Sequence, residues 1–126
     1  MDVGHANHPT SGGHVEKNQV IHLNNGIYFE QNSRLDLMLD TDTYCKLKHM
    51  AKKAEIPIQI NVKKQEGGGG GSSIGPKISS RTGMITIDFG LAMLSMHSIR
   101  EMTGSKDVDH MINLVKACYV NFPELN

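Results

Sequence analysis

Two spacings of hydrophobic residues divide the chain into predicted helices and strands. Apolar side chains recur every three or four residues over 41–55 and 106–121, which predicts amphipathic helices, and a shorter helical run ends at Gly83. Short β-prone runs, one of them strictly alternating, predict strands over 27–30, 58–62 and 84–89. Because strands alternate with helices, the pattern indicates an α/β fold with helices on both sides of a sheet.

Two stretches follow neither spacing. The stretch 5–25 holds four of the seven histidines and is predicted to be a long loop. The second stretch contains the consecutive glycines 67–71, whose backbone freedom suits either a flexible connector or the close approach of a ligand to the main chain. A P-loop is excluded, because Pro76 separates Gly75 from Lys77 where the motif needs Gly-Lys-Ser/Thr.

Composition narrows the class of protein and its partners. The 126 residues include 13 basic and 13 acidic side chains, so the clustered basic excess that favours nucleic acid or anionic membranes is absent. No apolar run approaches the roughly 20 residues that cross a bilayer, and the first residues resemble no export signal. We therefore expect one domain over 1–126, in the cytoplasm, with Cys45 and Cys118 as buried, reduced thiols.

His97 is the histidine whose position most favours chemistry. It follows a predicted strand and precedes the last helix, which is where α/β folds place their sites. The pattern is compatible with a functional role of this imidazole and also with a purely structural one. His49 and His110 lie within predicted helices without a second ligand at a metal-binding offset, so we expect ordinary surface positions for both. His5 and His8 lie close together in the first segment of the chain.

Three segments carry a family resemblance. They are Asp-Val-Gly-His-Ala-Asn-His-Pro at 2–9, Ser-Ile-Gly-Pro at 73–76 and Met-His-Ser-Ile-Arg-Glu-Met at 96–102. In this order and at this separation they resemble the C-terminal part of the aspartyl aminopeptidase family, which are dinuclear zinc exopeptidases. The resemblance implies part of a three-layer αβα sandwich with a mixed sheet, two zinc ions in the intact enzyme, peptide substrates and assembly as a homo-oligomer.

The resemblance also implies roles for individual residues. Asp2 matches the family's acidic ligand of one zinc ion, and His97 matches the histidine that binds the other. His5 and His8 are placed near subunit contacts or the rim of the site. Glu101, one helical turn beyond His97 if that segment is helical, is a candidate to orient the second ring nitrogen, with an ion pair to a neighbouring basic residue as the alternative.

Substrate preference is expected to differ from that of acid-preferring members. Alignment of 26–32 puts Glu30 where those members have a lysine that pairs with the substrate side chain. A carboxylate there repels Asp or Glu and accepts Lys or Arg, and the alternative is a solvent-facing strand residue. The main chain at Gly70 and Gly71 is a candidate to hydrogen-bond the substrate backbone, because no Cβ blocks the approach.

The number of available ligands limits what the chain does alone. Two zinc ions need about five ligating side chains and a carboxylate base, whereas the resemblance assigns two ligands here, and no Glu-Glu or His-x-Asp occurs. We therefore expect a catalytic-domain fragment that is inactive without the N-terminal part of the same enzyme. The alternatives are a non-catalytic scaffold or assembly segment, and a small metal-binding module built on His5, His8 and His14.

Overall fold

The described part of the chain forms one mixed sheet with helices. A computed structural model describes residues 2–10, 18–31, 41–62 and 74–121. In these ranges the strands are β1 (Asp2–His5), β2 (Ile27–Gln31), β3 (Ile58–Val62), β4 (Phe89–Leu94) and β5 (Met102–Thr103). The helices are α1 (Thr41–Lys53), α2 (Ile74–Thr82) and α3 (Ser105–Asn121).

The sheet has the order β1–β4–β2–β3, with β5 paired to β4 beside this path. β1 runs parallel to β4, and β2 runs parallel to β3. β2 is antiparallel to β4, so the two parallel pairs point in opposite directions. The carboxyl ends of the two pairs therefore lie at opposite ends of the sheet. The expected α/β architecture with a mixed sheet is confirmed.

The main hydrophobic core lies between the sheet and the helices α1 and α3. Phe29 is fully buried at its centre, with its ring edge-on to Tyr44 at 6.4 Å and tilted against Phe89 at 6.0 Å. Full burial of one such side chain contributes about 1.5–3 kcal/mol. The other buried members of this core are Ile27, Leu47, Met50, Ala51, Ile56, Met111 and Leu114.

A second, smaller core covers the opposite face of the sheet. Tyr28 and Ala92 from the sheet pack there with Ile21 from the segment before β2. The Tyr28 ring crosses β4 to reach β1, where a Cβ added to Gly4 would lie 2.6 Å from the ring. Gly4 is therefore the residue that leaves room for the tyrosine. None of the helices in the described ranges has the length and apolar character of a membrane span.

Five predicted elements are confirmed, among them the short helix that ends before Gly83, and one strand prediction is wrong. The strands at 27–30 and 58–62 and the helices at 41–55 and 106–121 form with shifts of at most two residues. Residues 84–88 form no strand, and the strand begins at Phe89 instead. Pairing decides this shift, because β4 joins β1 and β2 through Gly90.

Exposure corrects two further expectations. Cys45 is exposed rather than buried, whereas Cys118 is partly buried. In β3 the polar residues Gln59 and Asn61 are buried, while Ile58 and Ile60 are only half-buried, the reverse of what the alternation indicates. Both faces of β3 are therefore shielded from solvent, and the more deeply buried face carries the polar side chains.

Candidate metal and substrate site

His97 lies in a tight turn directly after β4. Ser95 and His97 both adopt left-handed backbone conformations, with φ of 58° and 64°. The Ser98 N–H closes the turn by donating to the Ser95 carbonyl at 3.0 Å, and the His97 side chain is exposed. Each left-handed residue other than glycine costs on the order of 1 kcal/mol, and such residues cluster at functional sites.

Glu101 stabilises this turn through the main chain of His97. Its Oε1 atom accepts a hydrogen bond from the His97 N–H at 2.6 Å. The segment between the two residues is not helical, so the helical turn expected to bring Glu101 to the imidazole does not form. The carboxylate instead fixes the backbone from which the imidazole projects.

A cleft of about 210 Å³ lies beside this turn. His5 and His8 line it from the β1 side, and residues 93–96 line it from the β4 side. The parallel register pairs His5 with Met93, so the carboxyl ends of β1 and β4 form its floor. The structure therefore gathers His5, His8 and the turn of His97 at one end of the sheet.

Hydrogen bonding fixes the role that His8 can take in the cleft. Its Nδ1 atom accepts from the Thr10 N–H at 3.3 Å and lies 2.8 Å from Thr10 Oγ1. A neutral imidazole whose Nδ1 accepts carries its proton on Nε2. In that tautomer, the Nε2 atom of His8 is a hydrogen-bond donor at the rim of the cleft.

The register places Asp2 toward the other end of β1. Its main chain is paired with that of Gly90. Gly90 is four residues before the end of β4, so Asp2 is roughly 13 Å from that end along the strand direction. The ions of a two-metal site lie about 3.5–4 Å apart, so the side chains of Asp2 and His97 have to cover most of this separation for both residues to be ligands. The side chain of Asp2 lies outside the described part of the chain, so its convergence with His97 stays a prediction.

Glu30 belongs to the same end of the sheet as Asp2. Tyr28 is level with Gly90, as Asp2 is, and Glu30 follows two residues later on the same face. Glu30 is buried, with 6% of its surface exposed, so the solvent-facing alternative is wrong. Its main-chain N–H donates to the Asp88 carbonyl at 3.2 Å. The candidates Gly70 and Gly71 lie outside the described residues, as does His14.

The described side chains do not form a complete zinc site. Over the ranges that the structure covers, no three His, Cys, Asp or Glu side chains are grouped so that they could hold a metal ion. The His97 imidazole is a donor of the kind zinc prefers, but a zinc site takes three or four protein ligands. The residues present therefore fit one part of such a site, not the whole of it.

Comparison with known proteins identifies the family. The model of the Aminopeptidase I zinc metalloprotease (M18) family matches residues 1–119, which include the segments containing Asp2 and His97. This chain belongs to that family. The resemblance inferred from the sequence is thereby confirmed, and the family is one of zinc-dependent aminopeptidases.

Individual members of the aminopeptidase family agree with this assignment. Aspartyl aminopeptidase 1 of Schizosaccharomyces pombe is 38% identical over 124 residues, which are 98% of this chain and 26% of that protein. A probable M18 family aminopeptidase 2 of Azotobacter vinelandii is 36% identical over 118 residues, 94% of this chain and 27% of that protein. The chain thus spans about a quarter of the length of these relatives.

Solved structures of aminopeptidases share the fold. Ape4, in a cryo-EM structure of its complex with Nbr1, superposes with a TM-score of 0.90 at 38% identity over 98% of this chain and 23% of that chain. The S. cerevisiae mApe1 dodecamer superposes with a TM-score of 0.82 at 28% identity over 98% of this chain and 26% of that chain. The mixed sheet described above therefore superposes on about a quarter of each of these two chains.

Proposed function

We propose that this chain is the part of a zinc-dependent aminopeptidase that supplies Asp2 and His97 to a two-zinc site. The family match across 1–119 carries the proposal, because it spans both residues. The remaining ligands and the base come from residues outside this chain, in the N-terminal part of the same enzyme. The isolated chain is accordingly inactive.

The residues of this chain have distinct tasks in the proposed site. The chemistry that zinc supplies in such a site is activation of water at neutral pH for attack on a peptide carbonyl. The neutral imidazole of His97 is a ligand for one ion, held at its position by the turn that Glu101 fixes. Asp2 binds the second ion and offsets part of its charge. His8, whose Nδ1 accepts from the Thr10 N–H, lies at the rim with Nε2 available as a donor.

Substrate selection is assigned to Glu30 and to the glycine run. The buried carboxylate of Glu30 disfavours an acidic N-terminal side chain through like-charge repulsion. The main chain of Gly70 and Gly71 hydrogen-bonds the backbone of the peptide. Assembly as a homo-oligomer is part of the proposal, supported by the dodecamer that mApe1 forms. A cytoplasmic location stays a prediction from the sequence.

A chimeric enzyme tests this function. The matching 26% of the S. pombe aspartyl aminopeptidase 1 is replaced by this chain, and hydrolysis of aminoacyl p-nitroanilides is followed with and without zinc. We expect zinc-dependent activity that His97→Ala lowers by at least about 100-fold, since loss of even an indirect metal contact costs 10–100-fold. His49→Ala, at an exposed position of α1, is the matched control and leaves the activity unchanged.

Two results of the chimera experiment contradict the proposal. Full activity of the His97→Ala chimera excludes His97 as a ligand. A chimera that assembles normally but stays inactive with zinc supports the scaffold alternative. The metal-binding module on His5, His8 and His14 is tested separately, because it alone predicts zinc affinity of the isolated chain that survives His97→Ala.

A further inference from the structure

The apolar surface of α3 is wider than the core on which the helix packs. Met111 and Leu114 are buried in the main core. A second apolar row lies beside them on the helix, at intervals of four, three and four residues: Val108, Ile112, Val115 and Tyr119. The exposed fractions are 42% for Val108, 47% for Ile112 and 82% for Tyr119, while Val115 packs partly against the core. α3 therefore carries an apolar flank that its own core leaves largely uncovered.

The other sides of α3 show which way this flank faces. On one side the neighbour is α1, because Lys53 Nζ donates to Asn121 Oδ1 at 3.1 Å. The side away from the sheet is polar and exposed, with Asp109, Asn113 and Lys116. At about 100° per residue, the apolar row lies roughly 150° around the helix from Asn121 and about a quarter turn from the core. The flank is therefore the side of α3 that faces away from α1.

The flank faces β1, the strand at one edge of the described sheet. α3 packs over β4 and β2, and α1 is the crossover helix between the parallel strands β2 and β3. Val3 of β1 pairs with Leu91 of β4, which belongs to the main core, so both project from the α3 side of the sheet. Val3 is 37% exposed there. Within the described ranges, the helices on this face thus leave β1 partly open to solvent.

The open surface has the dimensions of one further helix. Packed helices lie about 8–10 Å apart, which is about two strand spacings of 4.8 Å, so a helix beside α3 lies over β1. The row from Val108 to Tyr119 spans eleven residue steps, which is roughly 16 Å or three helical turns. We call this surface the apolar strip, and its members are Val3, Leu91, Val108, Ile112, Val115 and Tyr119.

The apolar strip is too small for a stable contact between two separate chains. Such interfaces take roughly 20–30 residues a side, whereas the strip has six apolar residues. A segment of the same polypeptide docks without the loss of translational freedom that separate chains incur, so a smaller surface suffices. The strip also continues into the main core through Leu91 and Val115, as the open side of one domain does.

The length of the relatives provides such a segment. This chain matches 26% of the S. pombe aspartyl aminopeptidase 1 and 27% of the A. vinelandii relative. About three quarters of an enzyme of that length therefore lies outside the part described. An amphipathic helix within it can cover the strip with its apolar side, as α1 and α3 cover the rest of this face.

We propose that the apolar strip is the docking site of an amphipathic helix from the N-terminal part of the same enzyme, which lies beside α3 in one layer over β1. Ile112 is at the middle of the contact, and Tyr119 is its most exposed member before docking. The choice of this occupant rests on the aminopeptidase function proposed above. Coverage of the strip is measured without zinc or catalysis, so the two proposals fail independently.

Thiol labelling of the full chain and of the chimera tests the coverage. Ile112→Cys places a thiol within the strip, and Asn113→Cys places one on the polar side of the same turn. Trypsin releases both positions in the peptide 107–116, separate from Cys45 and Cys118. In this chain alone we expect iodoacetamide to modify the two variants at rates within about threefold of each other, since both positions are exposed.

In the chimera the two rates should separate. We expect Ile112→Cys to react at least about tenfold more slowly than Asn113→Cys, because a docked helix blocks access to the thiol. Equal rates of the two variants in the chimera overturn the proposal. Protection of the Ile112→Cys thiol in this chain alone also overturns it, because the strip is then covered without the N-terminal part.

Charge substitutions separate the proposed helix from a second copy of this chain. In the chimera, Ile112→Asp is expected to lower the melting temperature by at least about 3 °C more than Val120→Asp, which adds the same charge at an exposed apolar position outside the strip. Equal melting temperatures of the two chimeras overturn the proposal. Sedimentation of this chain provides the second measurement. A dimer that Ile112→Asp dissociates and Val120→Asp does not assigns the strip to a second copy and also overturns the proposal.

Activity of the chimera is a separate measurement. An inactive chimera in which the Ile112→Cys thiol is protected contradicts the aminopeptidase function and supports the docked helix. An active chimera in which this thiol stays as reactive as that of Asn113→Cys overturns the docking site and leaves the proposed function in place.

Discussion

The carboxylate of Asp107 and the main-chain N–H of Gly26 are 81 positions apart and share a hydrogen bond of 2.9 Å. The second carboxylate oxygen accepts from the Asn24 N–H at 2.6 Å, and Asp107 is fully buried in the first turn of α3. In return, Asn24 Oδ1 accepts from the Lys106 N–H at 3.0 Å. The loop before β2 and the beginning of α3 therefore cap each other.

Removal of the Asp107 carboxylate should be among the most destabilising single changes in the chain. Asp107→Ala leaves two main-chain donors without their charged acceptor, and each such bond contributes about 1.5–3 kcal/mol. We expect the free energy of unfolding in urea to fall by about 3–5 kcal/mol. Asp109→Ala, at an exposed position of the same helix, should change it by less than about 0.5 kcal/mol. Similar losses in both variants would contradict this capping role.

Two glycines with positive φ allow the cost of a left-handed backbone to be compared with and without a steric clash. Gly26 has a φ of 96° and Gly83 a φ of 69°. A Cβ at Gly26 would overlap the main chain of Pro57, whereas nothing lies within 4 Å of a Cβ at Gly83. Gly83→Ala should cost on the order of 1–2 kcal/mol from the left-handed backbone alone.

Gly26→Ala carries the same backbone cost and adds a clash with the main chain of Pro57. We expect its loss of stability to exceed that of Gly83→Ala by at least about 2 kcal/mol, because overpacking against a rigid main chain costs 1–3 kcal/mol or more. Calorimetric unfolding of both variants measures the difference. Equal melting temperatures would show that β2 moves away from Pro57 without cost.

Glu101 is expected to act on the proposed zinc site through the backbone of His97. In the active chimera, Glu101→Leu removes the acceptor of the His97 N–H and should weaken zinc binding by about 10–100-fold. Glu101→Gln keeps an acceptor of similar reach and should retain most of that affinity. Zinc titrations of the two variants measure this difference. If Glu101→Gln loses as much zinc affinity as Glu101→Leu, the charge of Glu101 matters rather than its hydrogen bond.

The two cysteines should differ in reactivity. Burial raises the pKa of the Cys118 thiol, whereas Cys45 is exposed. Since the thiolate is the reactive species, a raised pKa leaves less of it at neutral pH, and its share grows only as pH rises toward that pKa. Iodoacetamide should therefore modify Cys45 first at pH 7.5, with the gap narrowing at higher pH. Peptide mass mapping measures both rates, and faster modification of Cys118 would contradict the burial.

Local periodicity was enough to predict the helices and two strands, but not β4. The residues Met84 and Ile85 have high hydrophobicity and are nevertheless exposed outside the sheet. The strand instead uses Gly90 and Ala92, which have low β-propensity but lie beneath or beside the Tyr28 ring. Contacts between distant segments decide such a shift, so a sequence window cannot reveal it.

The sequence predicts candidate site residues where a motif is present, and it misses burial where the pairing of strands decides it. His97 and Glu101 follow from a specific segment, and the structure joins them through the main chain. Asn61 belongs to no motif, and the alternation of β3 indicates that the isoleucines face the core, yet Asn61 is the more deeply buried residue. That burial depends on the pairing of β3 with β2, and the two strands lie too far apart in sequence for a local window to reveal it.

The left-handed conformation of His97 has a consequence for how this protein can evolve. A glycine at this position would relax the turn and raise thermal stability, because only the histidine side chain makes the conformation unfavourable. The same change would delete the imidazole. Under the ligand role proposed for His97, selection for robustness and selection for chemistry act in opposite directions on a single codon.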